Sequence, residues 1–161
     1  MKSVCLLVAL STMATQWAPV ELAKPVSISH EMLAAHNAVR NKVGVPELVW
    51  SPELAEIAQK WAIRLVSEGG LRHPQKAQYG ENLYLISGGR ASPESVVQAW
   101  AAESRDYDYR SNSCRSRCGH YTQLVWRNTK QVGCAVSRAQ RTEVWVCEYN
   151  PPGNYVGERP Y

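Results

Sequence analysis

The chain has 161 residues, of which 45% are hydrophobic and 20% are charged, and its formal net charge is +4. This length fits one domain, and this composition excludes an intrinsically disordered chain. The small positive charge is not accompanied by any nucleic-acid-binding motif, so we expect no nucleic-acid partner and only weak attraction to acidic surfaces.

The first residues have the pattern of an export signal. Lys2 gives a positive start, and a short apolar run from Val4 to Leu10 is followed by small residues. The run is well below the ~20 apolar residues that a membrane-spanning helix needs. We therefore predict a signal peptide over residues 1–24, with its cleavage point between 14 and 24, and a secreted domain over 25–161. An uncleaved anchor is the alternative interpretation.

Three segments predict helices, because each begins with a capping serine and carries apolar residues at helical spacing. The second and third also have proline at the first helical position, where its missing N–H costs nothing. The predicted helices are 29–42, capped by Ser29 and ended by Gly44; the segment from Ser51 to Gly69; and the segment from Ser92 to a last turn that contains Glu103.

Short apolar runs predict strands at 83–86, 132–136 and 144–147. A polar link joins the last two, as in an antiparallel hairpin. Residues 104–119, rich in Arg, Ser and Tyr, predict a loop. Helices flanking a small antiparallel sheet give an α+β architecture.

Five cysteines are present, and Cys5 falls inside the predicted signal. The other four, in an exported domain, predict two disulfides with three allowed pairings. Zinc binding is the rival interpretation, but the cysteines lack histidine partners at zinc-finger spacing. These four are Cys114, Cys118, Cys134 and Cys147.

Two histidines and two glutamates are candidates for chemistry. His73 and His120 lie beside prolines or glycines, in segments that commonly present functional side chains. Glu81 precedes an apolar strand, and Glu103 follows Trp100 by one turn. The four groups could converge in one cleft, which the residue pattern alone does not establish.

Two long stretches, Gly119–Thr129 and Val144–Tyr155, are similar to the signature sequences of the CAP superfamily. This superfamily comprises cysteine-rich secretory proteins, antigen five and pathogenesis-related one proteins. The ending Gly157–Tyr161 most resembles the plant pathogenesis-related one branch. Further matching positions are His36-Asn37-x-x-Arg40, Gly80-Glu-Asn82 and Trp100, so the resemblance covers nearly all of residues 28–161. It implies a three-layer α-β-α sandwich with a central cleft.

The resemblance also implies a cleft tetrad of His73, Glu81, Glu103 and His120. Such a set suits a divalent ion such as zinc, held by the histidine nitrogens with water completing the shell. A hydrogen-bonded polar cluster that stiffens the cleft is the alternative, and no cofactor is expected to be required.

The sequence departs from the plant-type pattern in its cysteines and in the strand that contains the last cysteine, where Trp145 replaces an aliphatic residue. One of three expected disulfides is missing, since Gly69 and Ala139 stand where its cysteines would be. The resemblance then implies the pairs Cys114–Cys118 and Cys134–Cys147. After the last cysteine the usual Asn, Ser or His is replaced by Glu148.

The resemblance implies a secreted, monomeric, non-catalytic protein that binds sterol or another lipid and acts in defence against microbes. Removal of sterol from a microbial membrane would be the mode of action. An apolar ligand needs an aromatic or aliphatic groove. The candidate lining residues are Trp100, Tyr107, Tyr109 and Tyr121.

Two alternatives remain open. A zinc-dependent hydrolase could use the tetrad, although neither a His-Glu-x-x-His helix nor a Gly-x-Ser-x-Gly turn is present. A precursor could release residues 151–161 as a signalling peptide after the segment Cys147–Asn150. In that segment Glu148 departs from the processing motif of plant relatives.

Overall fold

A computed structural model describes residues 27–161. The predicted signal peptide at 1–24 lies outside the described residues. None of the helices within 27–161 combines the length and apolar character that a bilayer crossing requires.

Within residues 27–161, four α-helices and six strands form the domain. The helices are α1 (Ile28–Val43), α2 (Pro52–Glu68), α3 (Pro93–Ala101) and α4 (Gly119–Leu124). The strands are β1 (Val49–Trp50), β2 (Gly80–Ser87), β3 (Tyr107–Asp108), β4 (Ser113–Cys114), β5 (Gln131–Ala139) and β6 (Thr142–Asn150).

The predicted α+β sandwich is confirmed. A four-stranded sheet runs in the order β1-β5-β6-β2, with α2 packed on one face and α1, α3 and α4 on the other. The sheet is mixed rather than purely antiparallel, because β1 pairs with β5 in parallel. Gly133 on β5 lets the start of α2 approach the sheet closely, since a Cβ there would collide with the backbone of Leu54 and Ala55.

The predicted starts of α2 and α3 are confirmed, with Ser51 and Ser92 as N-caps that accept from Leu54 and Ser95 backbone N–H groups. The predicted cap of α1 is wrong by two residues. Its N-cap is Ser27, whose hydroxyl accepts from the His30 N–H, and α1 therefore starts at Ile28. Ser27 and Ser29 are both suitable N-cap residues, so the residue type alone does not decide where α1 starts.

Residues 104–119 are a loop only in part, contrary to the prediction. The chain forms a 3-10 helix over Ala102–Asp106, then the two-stranded ribbon β3–β4, and α4 begins at Gly119. Glu103 consequently lies in the 3-10 helix and not in the last turn of α3, and His120 lies in the first turn of α4 rather than in a loop. These elements are too short to carry a recognisable apolar period.

Two buried polar side chains fasten α1 to the rest of the domain. Arg40 donates to the backbone carbonyls of Pro46, Leu124, Trp126 and Thr129 at 2.7–3.2 Å. His36 lies between the Met32 carbonyl at 2.7 Å and the Tyr149 hydroxyl at 2.9 Å. The segment after α4 is thereby fixed against α1.

Both disulfides implied by the resemblance are present. Cys134 and Cys147 face each other across β5 and β6, and their bond links the two strands. Cys114 and Cys118 close the short segment that leads into α4. Cys118 occupies the N-cap position of α4, two residues before His120.

Candidate functional site

An open cavity of about 390 Å³ lies at the edge of the sheet, beside β2. His73, Glu103 and His120 line it, together with apolar side chains from β2 and α3. Because β2 is the edge strand, groups from both faces of the sheet can reach this cavity. We call it the cleft.

His120 and Glu103 form one half of the predicted tetrad. The His120 Nδ1 lies 2.7 Å from Glu103 Oε1, and the backbone N–H groups of His120 and Tyr121 donate to Oε2 at 2.9 and 3.4 Å. A carboxylate at this position accepts the N–H groups left unpaired in the first turn of α4. Both oxygens of Glu103 are therefore already engaged.

His73 and Glu81 form the other half. The His73 Nδ1 lies 2.5 Å from Glu81 Oε1. The His73 side chain is exposed, whereas the Glu81 side chain is only 3% exposed. Glu81 points to the same face of the sheet as Leu83, two residues along β2, which packs under α2. The two pairs thus approach the cleft from opposite faces of the sheet.

Glu81 has a second partner that the tetrad pattern does not include. It lies directly opposite Glu148 in the β2–β6 ladder, and directly opposed residues project to the same face of the sheet. Burial raises the pKa of Glu81 to about 7. Burial, together with the neighbouring Glu81, raises the pKa of Glu148 to about 8. Two buried carboxyl groups in contact retain a proton at neutral pH.

This proton accounts for an otherwise unpaired atom. Glu81 Oε2 is buried and, among the described residues, has no donor if Glu148 is ionised. A protonated Glu148 supplies the donor, which also favours the charged form of Glu81. His73, Glu81 and Glu148 then form a continuous hydrogen-bonded row from the cleft into the domain.

Metal binding in the cleft would depend on the Nε2 atoms. Each tetrad histidine uses Nδ1 for its glutamate, the arrangement by which carboxylates orient metal-binding imidazoles. Within residues 27–161, the only three candidate ligand atoms lying within 4.8 Å of one another belong to His36, Cys134 and Cys147. Those two sulfurs are joined in a disulfide. The tetrad residues are not among the described residues that meet this distance criterion, so an ion in the cleft would rest on the two imidazole Nε2 atoms with water completing its shell.

Trp100 lies under the cleft. Its indole Nε1 donates to the Leu83 carbonyl at 3.1 Å, and its ring stacks on His120 with centroids 6.2 Å apart. This buried ring contributes to the cavity lining. Trp100 therefore fixes the orientation of His120 and joins α3 to β2.

The three tyrosines predicted beside Trp100 lie elsewhere. They form an aromatic cluster with Tyr161, and none of them lines the cleft. Tyr121 is buried, and its hydroxyl lies 2.9 Å from that of Tyr161. Tyr109 is 46% exposed and stacks on Tyr161 at 4.9 Å. Of the four aromatic candidates, the structure brings only Trp100 to the cleft.

Comparison with known proteins places these features in a family. The model of the cysteine-rich secretory protein family, CAP, matches residues 33–149. The chain belongs to the CAP family. It is 44% identical to pathogenesis-related protein 1A of Nicotiana tabacum over 134 residues, which cover 81% of this chain and 79% of the relative. It is 41% identical to pathogenesis-related protein 1 of Arabidopsis thaliana over 128 residues, covering 79% and 78%.

Solved structures agree on the CAP fold. Venom allergen-like protein 4 of Schistosoma mansoni matches with a TM-score of 0.69 at 25% identity, covering 85% of this chain and 95% of that one. A crystal structure of NaASP2 with Zn²⁺ matches with a TM-score of 0.70 at 23% identity, covering 84% and 86%. The similarity to plant proteins thus rests on the sequence relatives. The sandwich fold is supported both by the family match and by the solved structures.

The last eleven residues of this CAP domain are tied to its body. The Pro160 carbonyl accepts from the Arg127 N–H at 2.7 Å, and Gly153 N–H donates to Gln123 Oε1 at 2.9 Å. Gly153 lies against Trp126, whose ring a Cβ would approach to 2.6 Å. These contacts hold the segment 151–161 against α4 and the residues that follow it.

Sequence reasoning missed two partners in this CAP domain. In the sequence, Glu148 stood out only as a departure from the family signature. The alternation of side chains along β6 is the signal that could have placed it on the face of the sheet that meets α2. Tyr161 gave no local signal, because its contacts are with residues 40 and more positions away.

Proposed function

We propose that this CAP domain is a secreted, non-catalytic binding protein that takes a sterol or another lipid in its cleft and acts against microbes. The observation that carries the proposal is that each tetrad glutamate is paired with a tetrad histidine, while most of the remaining lining is apolar. The lining side chains from neighbouring segments include Leu71, Leu83, Tyr84, Leu85 and Trp100.

The hydrogen bonding of the two tetrad glutamates supports a non-catalytic role. A general base needs a free oxygen or nitrogen within reach of the proton it removes. Glu103 uses both oxygens to hold the start of α4. Glu81 is shared between His73 and Glu148. All four cysteines of residues 27–161 are in disulfides, so this part of the chain offers no thiol nucleophile.

The cleft wall supports an apolar ligand with a polar end. Ligand sites are typically concave and mainly apolar, with a few polar groups that set orientation. Leucine side chains and the Trp100 ring supply the apolar part, and Arg72 and Arg117 lie at the same cavity. A sterol hydroxyl or a fatty-acid carboxylate would be held at this polar rim.

Secretion and a defence role rest on further observations. Stable disulfides are typical of proteins in oxidising compartments, which agrees with the export pattern of the first residues. The plant relatives that match most of the chain are pathogenesis-related proteins. A monomer that sequesters sterol from a microbial membrane would combine these features.

The decisive experiment is a binding assay with cholesterol, ergosterol and palmitate. Leu71 is 43% exposed at the cleft, so Leu71→Asp places a charge on the lipid path without burying it. The matched control is Ile63→Asp, since Ile63 is 53% exposed on α2 and lies outside the cleft. We expect about tenfold weaker binding in the first variant and wild-type binding in the second. If the wild type binds none of the three lipids, the proposal fails.

A metal-dependent hydrolase is the second candidate, favoured by the two uncommitted Nε2 atoms. His73 and His120 would hold a zinc ion, and such an ion supplies Lewis acidity and an acidified water. Glu103 and Glu81 would orient the imidazoles. Zinc titration of wild type, His73→Ala and His120→Ala by calorimetry tests this. Zinc affinity in the wild type that either substitution abolishes, together with peptide or ester hydrolysis lost on chelation, would favour the enzyme.

A further inference from the structure

A second cavity lies on the far side of the Glu81–Glu148 pair from the cleft, and Glu148 contributes to its lining. It has a volume of about 430 Å³ and lies between α2 and the segment 74–79, on the face of the sheet that α2 covers. Its lining shares no residue with the cleft. We call it the α2 pocket.

The walls of the α2 pocket are apolar and flat. Trp61 and Ile57 form the wall on α2, and Pro74 and Tyr79 form the facing wall. All four side chains are partly buried, so the walls are set by packing. The guanidinium of Arg64 lies 5.5 Å from the centroid of the Trp61 ring. Such walls suit a planar or slender apolar group.

The rim of the α2 pocket is basic. Lys60, Arg64 and Lys76 all line it. Lys60 and Arg64 pair with Glu56 and Glu68 one turn away, but the exposed cations can turn toward a ligand because such pairs are weak. Lys76 makes no ion pair within residues 27–161. An anionic group would therefore be favoured at the rim.

The inner end of the α2 pocket is formed by a carboxyl group. Glu148 is the only lining residue that comes from the sheet, and it is 5% exposed. The Glu81–Glu148 pair still carries one negative charge when it holds one proton, so a ligand carboxylate would be repelled there and the acid of the ligand must remain at the rim. A hydroxyl group suits the inner end, because a hydroxyl both donates and accepts and so pairs with a carboxyl group in either protonation state.

From this order of groups we propose that the α2 pocket binds a small organic acid with a flat apolar body and a hydroxyl at the end opposite its carboxylate. The carboxylate lies among Lys60, Arg64 and Lys76, the body lies between Trp61 and Tyr79, and the hydroxyl meets Glu148. This site does not depend on the lipid function proposed for the cleft.

The test uses 3-(4-hydroxyphenyl)propionate as the probe and the indole N–H signal of Trp61 as the local readout in ¹⁵N-correlated NMR, assigned with Trp61→Phe. We expect saturable shifts of that signal. Loss of one hydrogen bond weakens binding by about three- to tenfold, so 3-phenylpropionate, which lacks the hydroxyl, should bind less tightly by that factor. The methyl ester should also bind less tightly.

Variants at exposed positions test whether the probe binds in the α2 pocket. Ala77→Trp fills the mouth of the pocket and should abolish the shifts, and Lys76→Gln should weaken binding about two- to fivefold. Lys130→Gln, an exposed lysine away from the pocket, should change nothing. The proposal is overturned if the wild type does not bind the probe or if Ala77→Trp binds it normally. It is also overturned if the methyl ester or 3-phenylpropionate binds as tightly as the probe. Leu71→Asp should bind the probe normally, so failure of the cleft proposal would be seen separately.

Discussion

Glu81 and Glu148 face each other across β2 and β6 in a part of the domain where both side chains are buried. Glu81 reaches His73 at the cleft, and Glu148 lines the α2 pocket. One buried acid pair thus separates two cavities of different chemistry. The residue that departs from the CAP signature is the one that creates this pair.

Replacement of Glu148 by glutamine should remove a pH-dependent loss of stability. Both folded-state pKa values, about 7 and about 8, lie above the ordinary value of 4.5. The unfolded chain therefore releases protons that the folded chain keeps, and wild-type stability falls as the pH rises from about 4.5 through 8. Glu148→Gln should be about 1–2 kcal/mol more stable than the wild type at pH 9, with the gap closing at pH 4.5.

Urea unfolding at pH 4.5, 7 and 9, in the presence of a chelator, measures this difference. Glu158→Gln, at an exposed glutamate, is the control and should follow the wild-type profile. Parallel pH profiles for Glu148→Gln and the wild type would contradict a shared proton between Glu81 and Glu148.

Buried His36 should make the domain sensitive to acid. Burial lowers its pKa from 6.5 to about 4, so the folded state excludes a proton that the unfolded chain binds. Its contribution to stability is complete above pH 6.5 and is lost as the pH falls toward 4, by about 2–3 kcal/mol. His36→Gln should flatten this acid limb in urea unfolding, whereas His30→Gln, at an exposed position, should leave it unchanged. If the free energy of unfolding of His36→Gln falls with decreasing pH as steeply as that of the wild type, groups other than His36 cause the acid sensitivity.

Arg40 should be among the most costly single positions. Its guanidinium is buried and satisfies four backbone carbonyls. Each buried acceptor left without a partner costs about 1–3 kcal/mol, so Arg40→Met should lower the free energy of unfolding by about 3 kcal/mol or more. Thermal and urea unfolding measure this. Arg90→Met, at an exposed arginine, should have little effect, and equal effects of the two variants would exclude the proposed role.

Gly153 should not tolerate a side chain. An alanine Cβ would lie 2.6 Å from the Trp126 ring, so Gly153→Ala must displace the ring or the segment 151–161. Such overpacking costs about 1–3 kcal/mol. Gly70→Ala is the matched control, because its Cβ would meet nothing within 4 Å. A fully stable Gly153→Ala variant would mean that the segment is not anchored there.

The folded protein should retain residues 151–161. The residues before the junction, Cys147 to Tyr149, are buried in β6, and the Tyr161 hydroxyl contacts that of Tyr121. A protease must open this part of the domain before it can cut after Asn150. Mass spectrometry of the protein after limited proteolysis should detect an intact C-terminus. Release of 151–161 from folded material would support the peptide-precursor alternative instead.

The residue pattern predicted the helices and the strand hairpin well, because their signals are local. Ser51-Pro52 and Ser92-Pro93 each combine an N-cap serine with proline at the first helical position, a pair that marks a helix start locally. Gly44 ends α1 in the left-handed conformation that glycine favours. The family motifs likewise identified the four residues of the tetrad, although the residues alone did not bring them together. The boundaries at 102–119 were predicted incorrectly, since those elements are held by contacts with distant segments.

The sequence by itself determined the CAP sandwich, the starts of α2 and α3, and the residues that can pair at the cleft. Only the tertiary structure decided which aromatic rings reach that cleft and which are covered by Tyr161. It also decided that Glu148 faces Glu81, because a cross-strand neighbour depends on the register of two strands more than 60 positions apart. Local spacing fixes the direction of a side chain along one strand, and packing alone fixes what that side chain meets.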